Sequence, residues 1–281
     1  MMVAISQVQQ TLGQWINERP LRKVGVIGAG AIGSAVIEVL ARGGVEGAEL
    51  ACVVNLHPVP GLDVPQVTVP EAIRTCDVIV ECAGQVVVGQ HAVKILEGGV
   101  DLLVTSVGAF ADEVLLGKVL AAGPGRLLFT SGAVGGVDLL ASAAAEAPLD
   151  RVRVSSRKLP GSLLQPWMDE ATQERIRTTT EPLEVFHGPA REAARLFPRS
   201  LNVAATVAFA VGDFDLVDVT LVADPAAELT THLIEADGPT GHYRFEIANR
   251  PSPANPRTSG VVPHAVLRSL SVLVGRPVRI V

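Results

Sequence analysis

A chain of 281 residues, 48% of them hydrophobic, reaches the size at which one core stops growing, so one large composite domain or two are expected. The formal charge of −6 is modest, and no block of Lys or Arg supplies the basic footprint of a phosphate-backbone binder, which argues against nucleic acid as a partner. The first twenty residues lack the cationic start and apolar centre of a signal peptide, and glycine, proline or a charge breaks each apolar run before it could span a bilayer, so a cytoplasmic protein without a membrane partner is expected.

Residues 1–21 read as an N-terminal extension in which TLGQWINE has amphipathic spacing. From Lys23, KVGVIGAGAIGSAVIEVLARGG reads as a short apolar strand, a glycine-rich turn and an amphipathic helix closed by Gly43 and Gly44. The alternation then repeats. Strand-like LACVVNL begins at Leu50, helix-like EAIRTC at Glu71, strand-like DVIVECAG at Asp77, and a helix runs through HAVKILEGG from His91. Strand-like DLLVTSVGA from Asp101, a helix from Asp112 to Ala122 and strand-like RLLFTSGA from Arg126 complete the series. The fold class this predicts is α/β, with a Rossmann-type doubly wound parallel sheet over 1–149.

Beyond Asp150 the segments DRVRVSSRKL, VTLVADP and HYRFEIANR show the polar alternation of strands that expose one face, which predicts a second α+β domain over 150–259 with a mixed or antiparallel sheet. Between them, REAARLFPRSLNVAATVAFAVG from Arg191 is helix-compatible on both sides of Pro198, with Ser200 or Asn202 as the second cap. The tail from Thr258 to Gly275 reads as helical, and 260–281 is expected to pack back onto the first domain. Three cysteines, Cys52, Cys76 and Cys82, form neither an even disulfide framework nor a zinc-binding CxxC pair, so they read as small buried hydrophobes and no metal is expected. Cys82 stands apart only because it lies near a strand end, on the side where α/β sheets place ligands.

Gly28, Gly30 and Gly33 form GxGxxG directly after a strand and at the mouth of a helix, the context that gives this pattern its meaning. One glycine serves the tight turn, the next lets backbone approach a pyrophosphate, and the third lets helix and strand pack closely. The whole run Gly28, Ala29, Gly30, Ala31, Ile32 and Gly33 is therefore expected to line a dinucleotide, whose phosphates meet the N–H groups of the helix terminus. At the end of the second strand, where an acid normally binds the adenosine ribose, stands Asn55; with His57 as the only cationic helper nearby, NAD and NADP both remain open.

TSGAVGGVDLL from Thr130, FPRSLNVAAT from Phe197 and HLIEADGPTGHYRFEIANRPSPANPRTS from His232, taken with GAGAIG and SVGA, resemble the L-aspartate dehydrogenase family. The resemblance implies NAD(P)-dependent oxidation of L-aspartate to iminoaspartate, which hydrolyses to oxaloacetate and ammonia or passes toward NAD biosynthesis. It also implies a homodimer. His232 matches the family's catalytic histidine, and Ala133 and Asn202 match positions that contact the cofactor. A histidine titrating near neutrality could take the amine proton or activate the water that attacks the imine. The two substrate carboxylates need cationic or hydroxyl partners, for which Lys158, Arg257, Thr258 and Ser259, with Arg157, are the candidates. Asn249 and Asn255 read as turn-closing residues outside the site. The chain departs from the family pattern at RKLPGSLL from Arg157 and at GVVPHAVLRSL, where Pro263 and His264 enter the start of a helix. The rival readings are a Rossmann oxidoreductase for another amino acid, an imine or a semialdehyde, and a non-catalytic NAD(P)-binding protein.

Overall fold

A computed structural model describes residues 20–198, 201–253 and 255–275. The TLGQWINE stretch and the candidate cap Ser200 lie outside them.

Strands β1 (Arg22–Ile27), β2 (Ala48–Val54), β3 (Val78–Glu81), β4 (Asp101–Val104) and β5 (Leu127–Phe129) form one parallel sheet in the order β2-β1-β3-β4-β5. Every residue of β3 and β4 is buried, as a central parallel strand covered on both faces requires. The intervening helices are α1 (Ala31–Ala41), α2 (Val69–Thr75), α3 (Gln85–Glu97) and α4 (Glu113–Ala121). Their starts are written in short-range chemistry. The Glu71 carboxylate accepts the Thr68 N–H at 2.8 Å ahead of α2, and the Asp112 carboxylate accepts from Val114 and Leu115 ahead of α4. Helix α3 begins at Gln85, earlier than the periodicity around His91 suggests, because Gly84 at φ +126° ends the preceding segment in a conformation other residues avoid. The chain moves outward from β1 to β2 and then back past β1 to β3, so a crevice opens at the carboxyl ends of β1 and β3.

After α5 (Val137–Glu146), strands β6 (Arg151–Lys158), β7 (Leu183–Pro189), β8 (Val217–Ala223), β9 (Thr230–Gly238) and β10 (Gly241–Asn249) make a second sheet in the order β10-β9-β6-β8-β7. It is mixed: β6 runs parallel to β8, while the remaining pairs are antiparallel. Helices α6 (Glu170–Arg177), α7 (Ala190–Leu196) and α8 (Asn202–Val211) complete this half, and α7 and α8 cover β8. Helix α8 also packs on α5, so one apolar core runs from beneath the first sheet into the second half, through Leu140, Ala204 and Val219.

Two strands, β7 and β9, have no counterpart among the elements expected from sequence. The tail also differs. Thr258 and Ser259 belong to β12 (Asn255–Ser259), which pairs with the two-residue β11 (Pro251–Ser252), and the helix α9 spans Val262–Val274. Pro263 falls in the first turn of α9, where its missing N–H has no intrahelical partner to lose. Val266 and Leu270 of α9 are fully buried in the same cluster as Val36, Ile37 and Leu40 of α1. No helix among the described residues is long and apolar enough to cross a membrane.

Candidate active site

The glycine turn meets each demand that its spacing makes. Gly28 has φ +94°, and a Cβ there would lie 2.9 Å from the backbone of Ala83; at Gly33 a Cβ would lie 1.9 Å from the carbonyl oxygen of Gly28. Both positions are closed to any side chain. Gly30 is the opposite case, with nothing within 4 Å of an added Cβ, and it caps α1 without any side-chain bond or acid in the first turn that holds Ala31 and Ile32. Backbone N–H groups thus front open space that a side chain at Gly30 would enter, which fits the pyrophosphate of a dinucleotide. Asn55 extends from the end of β2 to brace this turn: its Oδ1 accepts the Ala29 N–H at 3.1 Å and its Nδ2 donates to the His57 carbonyl at 2.9 Å. The side chain expected to meet a ribose is here a strut of the cradle.

At the end of β3, Glu81 is 1% exposed and accepts five hydrogen bonds. Oε1 takes the N–H groups of Ala83 and Gly84, each at 2.7 Å, and the Ser106 hydroxyl at 2.9 Å; Oε2 takes the N–H groups of Thr105 and Ser106 at 3.3 and 3.1 Å. Burial pushes its carboxyl above the usual range, opposed by these bonds. Burial, with the Glu81 charge beside it, also pushes the Cys82 thiol far up, so this cysteine is neutral and unreactive.

The seam between the halves carries two more residues expected from sequence. Asn202, the first residue of α8, accepts the Gly108 N–H on Oδ1 at 3.2 Å, and a Cβ at Gly108 would collide with Gln85 Nε2 at 2.2 Å. The SVGA segment therefore lies directly against α8. Ala133, in the loop between β5 and α5, accepts on its carbonyl the Asn249 side-chain amide of β10 at 2.7 Å. Asn249 thus ties the second sheet to a loop at the carboxyl end of the first, a role its reading as a turn residue did not foresee.

On the second sheet, Ser156 stands directly opposite His232 across β6 and β9, with Ser156 Oγ 2.8 Å from His232 Nδ1. Both are buried, and Lys158, two residues along β6 on the same face, is 6% exposed. The alternation of the strands puts these polar groups where β6 otherwise turns Val152 and Val154 into the core. Burial pulls the Lys158 ammonium down to about 8. Burial first, and the neighbouring Lys158 charge second, pull His232 down to about 3. His232 is accordingly a neutral imidazole throughout the physiological range, not the near-neutral titrating group that its residue type suggests.

The other candidates fall elsewhere. Arg157 points to the opposite face of β6, where it pairs with Asp224 at 2.9 Å. Ser259 is buried and Thr258 half-buried on β12, which lies against α1; the side chain of Arg257 is outside the described residues. Ser156 and Glu81 were missed because neither sits in a motif. The available signals were SS in DRVRVSSRKL, which places Ser156 and Lys158 on one strand face, and a lone acid ending the apolar run VIVE.

The family model described as "Aspartate dehydrogenase, C-terminal" matches residues 138–273, and "Homoserine dehydrogenase, NAD binding domain" matches 28–124. An L-aspartate dehydrogenase of Bordetella pertussis is 34% identical over 264 residues, covering 88% of this chain and 95% of the relative. The chain belongs to the aspartate dehydrogenase family. Within the aspartate dehydrogenase family, the Thermotoga maritima protein is 38% identical over 205 residues, which cover 72% of this chain and 78% of that one. The crystal structure of Thermotoga maritima aspartate dehydrogenase superposes with a TM-score of 0.67 at 29% identity, covering 92% of this chain and 99% of that chain. The two-sheet fold is therefore that of aspartate dehydrogenase.

Proposed function

We propose that this protein oxidises L-aspartate to iminoaspartate with NAD or NADP and releases oxaloacetate and ammonia after hydrolysis, the reverse direction running from oxaloacetate and ammonia. The observation that carries the proposal is the buried row of Ser156, His232 and Lys158 on a face of the second sheet, in a chain whose first half ends its opening strand in a glycine cradle. When bound, the nicotinamide accepts the hydride that leaves Cα of aspartate.

The chain's own groups supply positioning and proton transfer. Ser156 Oγ engages Nδ1 of His232 and holds the ring; with Nδ1–H donating to the hydroxyl, Nε2 keeps its lone pair. That nitrogen takes a proton from the substrate amine as the C=N bond forms, releases it to solvent, and then takes one from the water that adds to the imine carbon. Burial leaves the His232 lone pair free at the start of the cycle, and a dicarboxylate bound beside the ring offsets the burial that lowers its proton affinity. Lys158 receives a substrate carboxylate as its ammonium. A dicarboxylate beside Lys158 offsets the burial that lowers its pKa.

In the division of labour proposed here, residues 1–149 bind the dinucleotide, 150–259 carry the substrate chemistry and 260–281 return to the first half. The family resemblance supports a cytoplasmic homodimer, which sedimentation of the purified protein tests. The test of the activity is absorbance of reduced cofactor with L-aspartate, and with oxaloacetate plus ammonia, using NAD(H) and NADP(H) in parallel. Turnover is expected in both directions. Cofactor binding without turnover of either substrate pair would reject aspartate.

A further inference from the structure

A carboxylate that is 1% exposed and has no cationic partner is costly to keep. Among the described residues no Lys, Arg or His forms an ion pair with Glu81. Its charge is met only by donors: four backbone N–H groups and the Ser106 hydroxyl. Two backbone N–H groups reach each oxygen, and these fixed donors favour the ionised form against the burial that opposes it.

Those donors belong to two separate segments at the carboxyl ends of neighbouring strands. Ala83 and Gly84 follow β3; Thr105 and Ser106 follow β4 and lead into Gly108, which contacts Asn202 of α8. Ala83 is also the residue whose backbone would lie 2.9 Å from a Cβ at Gly28. Glu81 therefore bears on the glycine turn through one neighbour. A dinucleotide with its pyrophosphate at the start of α1 and its adenosine ribose at the end of β2 extends its nicotinamide half across the switch point, toward β3 and β4.

We infer that Glu81 is a positioning residue for the nicotinamide half of the cofactor: it fixes the β3 and β4 ends as one rigid wall and sets a permanent negative charge behind it, which favours the cationic, oxidised ring over the neutral, reduced one. This rests on the dinucleotide-binding reading of the first half. Removal of such a charge is expected to change the relative affinity for the two forms by roughly tenfold.

The test is equilibrium binding of NAD+ and NADH, and of NADP+ and NADPH, to the wild-type protein and to Glu81→Gln, by calorimetry and by the fluorescence of the reduced cofactor, without substrate. The variant removes the charge and also turns an amide NH2 toward two backbone donors, so the ratio of the two Kd values, not either value alone, carries the test. Expected is a rise of about tenfold in the Kd of the oxidised cofactor relative to that of the reduced one. An unchanged ratio, with the protein folded, overturns the inference. If Glu81→Gln does not fold, Glu81→Asp decides: it keeps the charge but shortens the reach, and both Kd values are expected to rise severalfold with their ratio preserved. Unchanged Kd values in Glu81→Asp overturn the inference too. Absence of any dinucleotide binding by the wild-type protein would instead reject the reading of the first half on which it rests.

Discussion

On the first sheet the groups that meet the crevice are backbone: glycines closed to side chains, a helix terminus, and loop amides gathered by one buried carboxylate. On the second sheet the polar groups assigned to the chemistry are side chains: Ser156, Lys158 and His232, buried on the face where the same strands otherwise bury valine and isoleucine. A backbone site suits a cofactor that every turnover presents alike, because amide geometry is set by the fold itself. A side-chain site suits chemistry that moves protons, since burial can displace the titration of each group separately. The two regions therefore differ in how they fail: one through shape, the other through charge.

The sharpest test of that contrast is His232→Ala, expected to lower kcat by about two to four powers of ten while leaving the Kd of the cofactor nearly unchanged. An equal loss of cofactor binding would erase the distinction. The same residue makes a pH prediction for stability. Its folded value, about 3, lies below the unfolded value of roughly 6.5, so its stabilisation is present above pH 6.5 and is lost as pH falls toward 3. Denaturant titrations across that window should show a loss of up to about 5 kcal/mol, muted in His232→Gln. Next in size is Lys158→Met, expected to raise the KM for L-aspartate by about 10- to 100-fold, the worth of a charge-assisted hydrogen bond. In the wild-type protein, kcat/KM for aspartate should fall as pH climbs past about 8 and the ammonium is lost, and Lys158→Arg should carry activity to higher pH. On the backbone side, Gly30→Val should raise the cofactor Kd by about tenfold or more with kcat at saturation retained, because a side chain would enter the space in front of the helix terminus that is open now. The smallest effect is expected for Asn249→Ala, about 1 kcal/mol in thermal stability through the lost bond to Ala133, together with a modest rise in KM.

The same contrast explains what could be read from the sequence. Strand, turn and helix of GAGAIG are contiguous, so their geometry is a local property and the cradle was legible along with the whole parallel sheet. Strand β9 was not, because its inward positions include Thr230 and His232, polar residues that break the apolar half of the alternation. Strand β7 lies at the sheet edge with five of its seven residues half-buried and none fully buried, so its faces show no regular alternation. Thr258 and Ser259 were drawn into a helix because a two-residue strand such as β11 is too short to announce its partner. Within the site, the family resemblance pointed to His232, but the charge state of that histidine depends on burial, and its partner Ser156 depends on the register of β6 against β9. Neither is a property of any one segment.

Helix α9 has a consequence for how the molecule is made. Val36, Ile37 and Leu40 of α1 share one buried cluster with strand residues of the first sheet and with Val266 and Leu270, which follow the entire second sheet in the chain. During synthesis the glycine cradle can form early, yet the part of its helix's apolar stripe that meets α9 stays uncovered until that helix has left the ribosome. A chain stopped after Ser259 would hold every residue assigned to the chemistry and still present that stripe to solvent, as a surface on which nascent copies can stick to one another or to a chaperone.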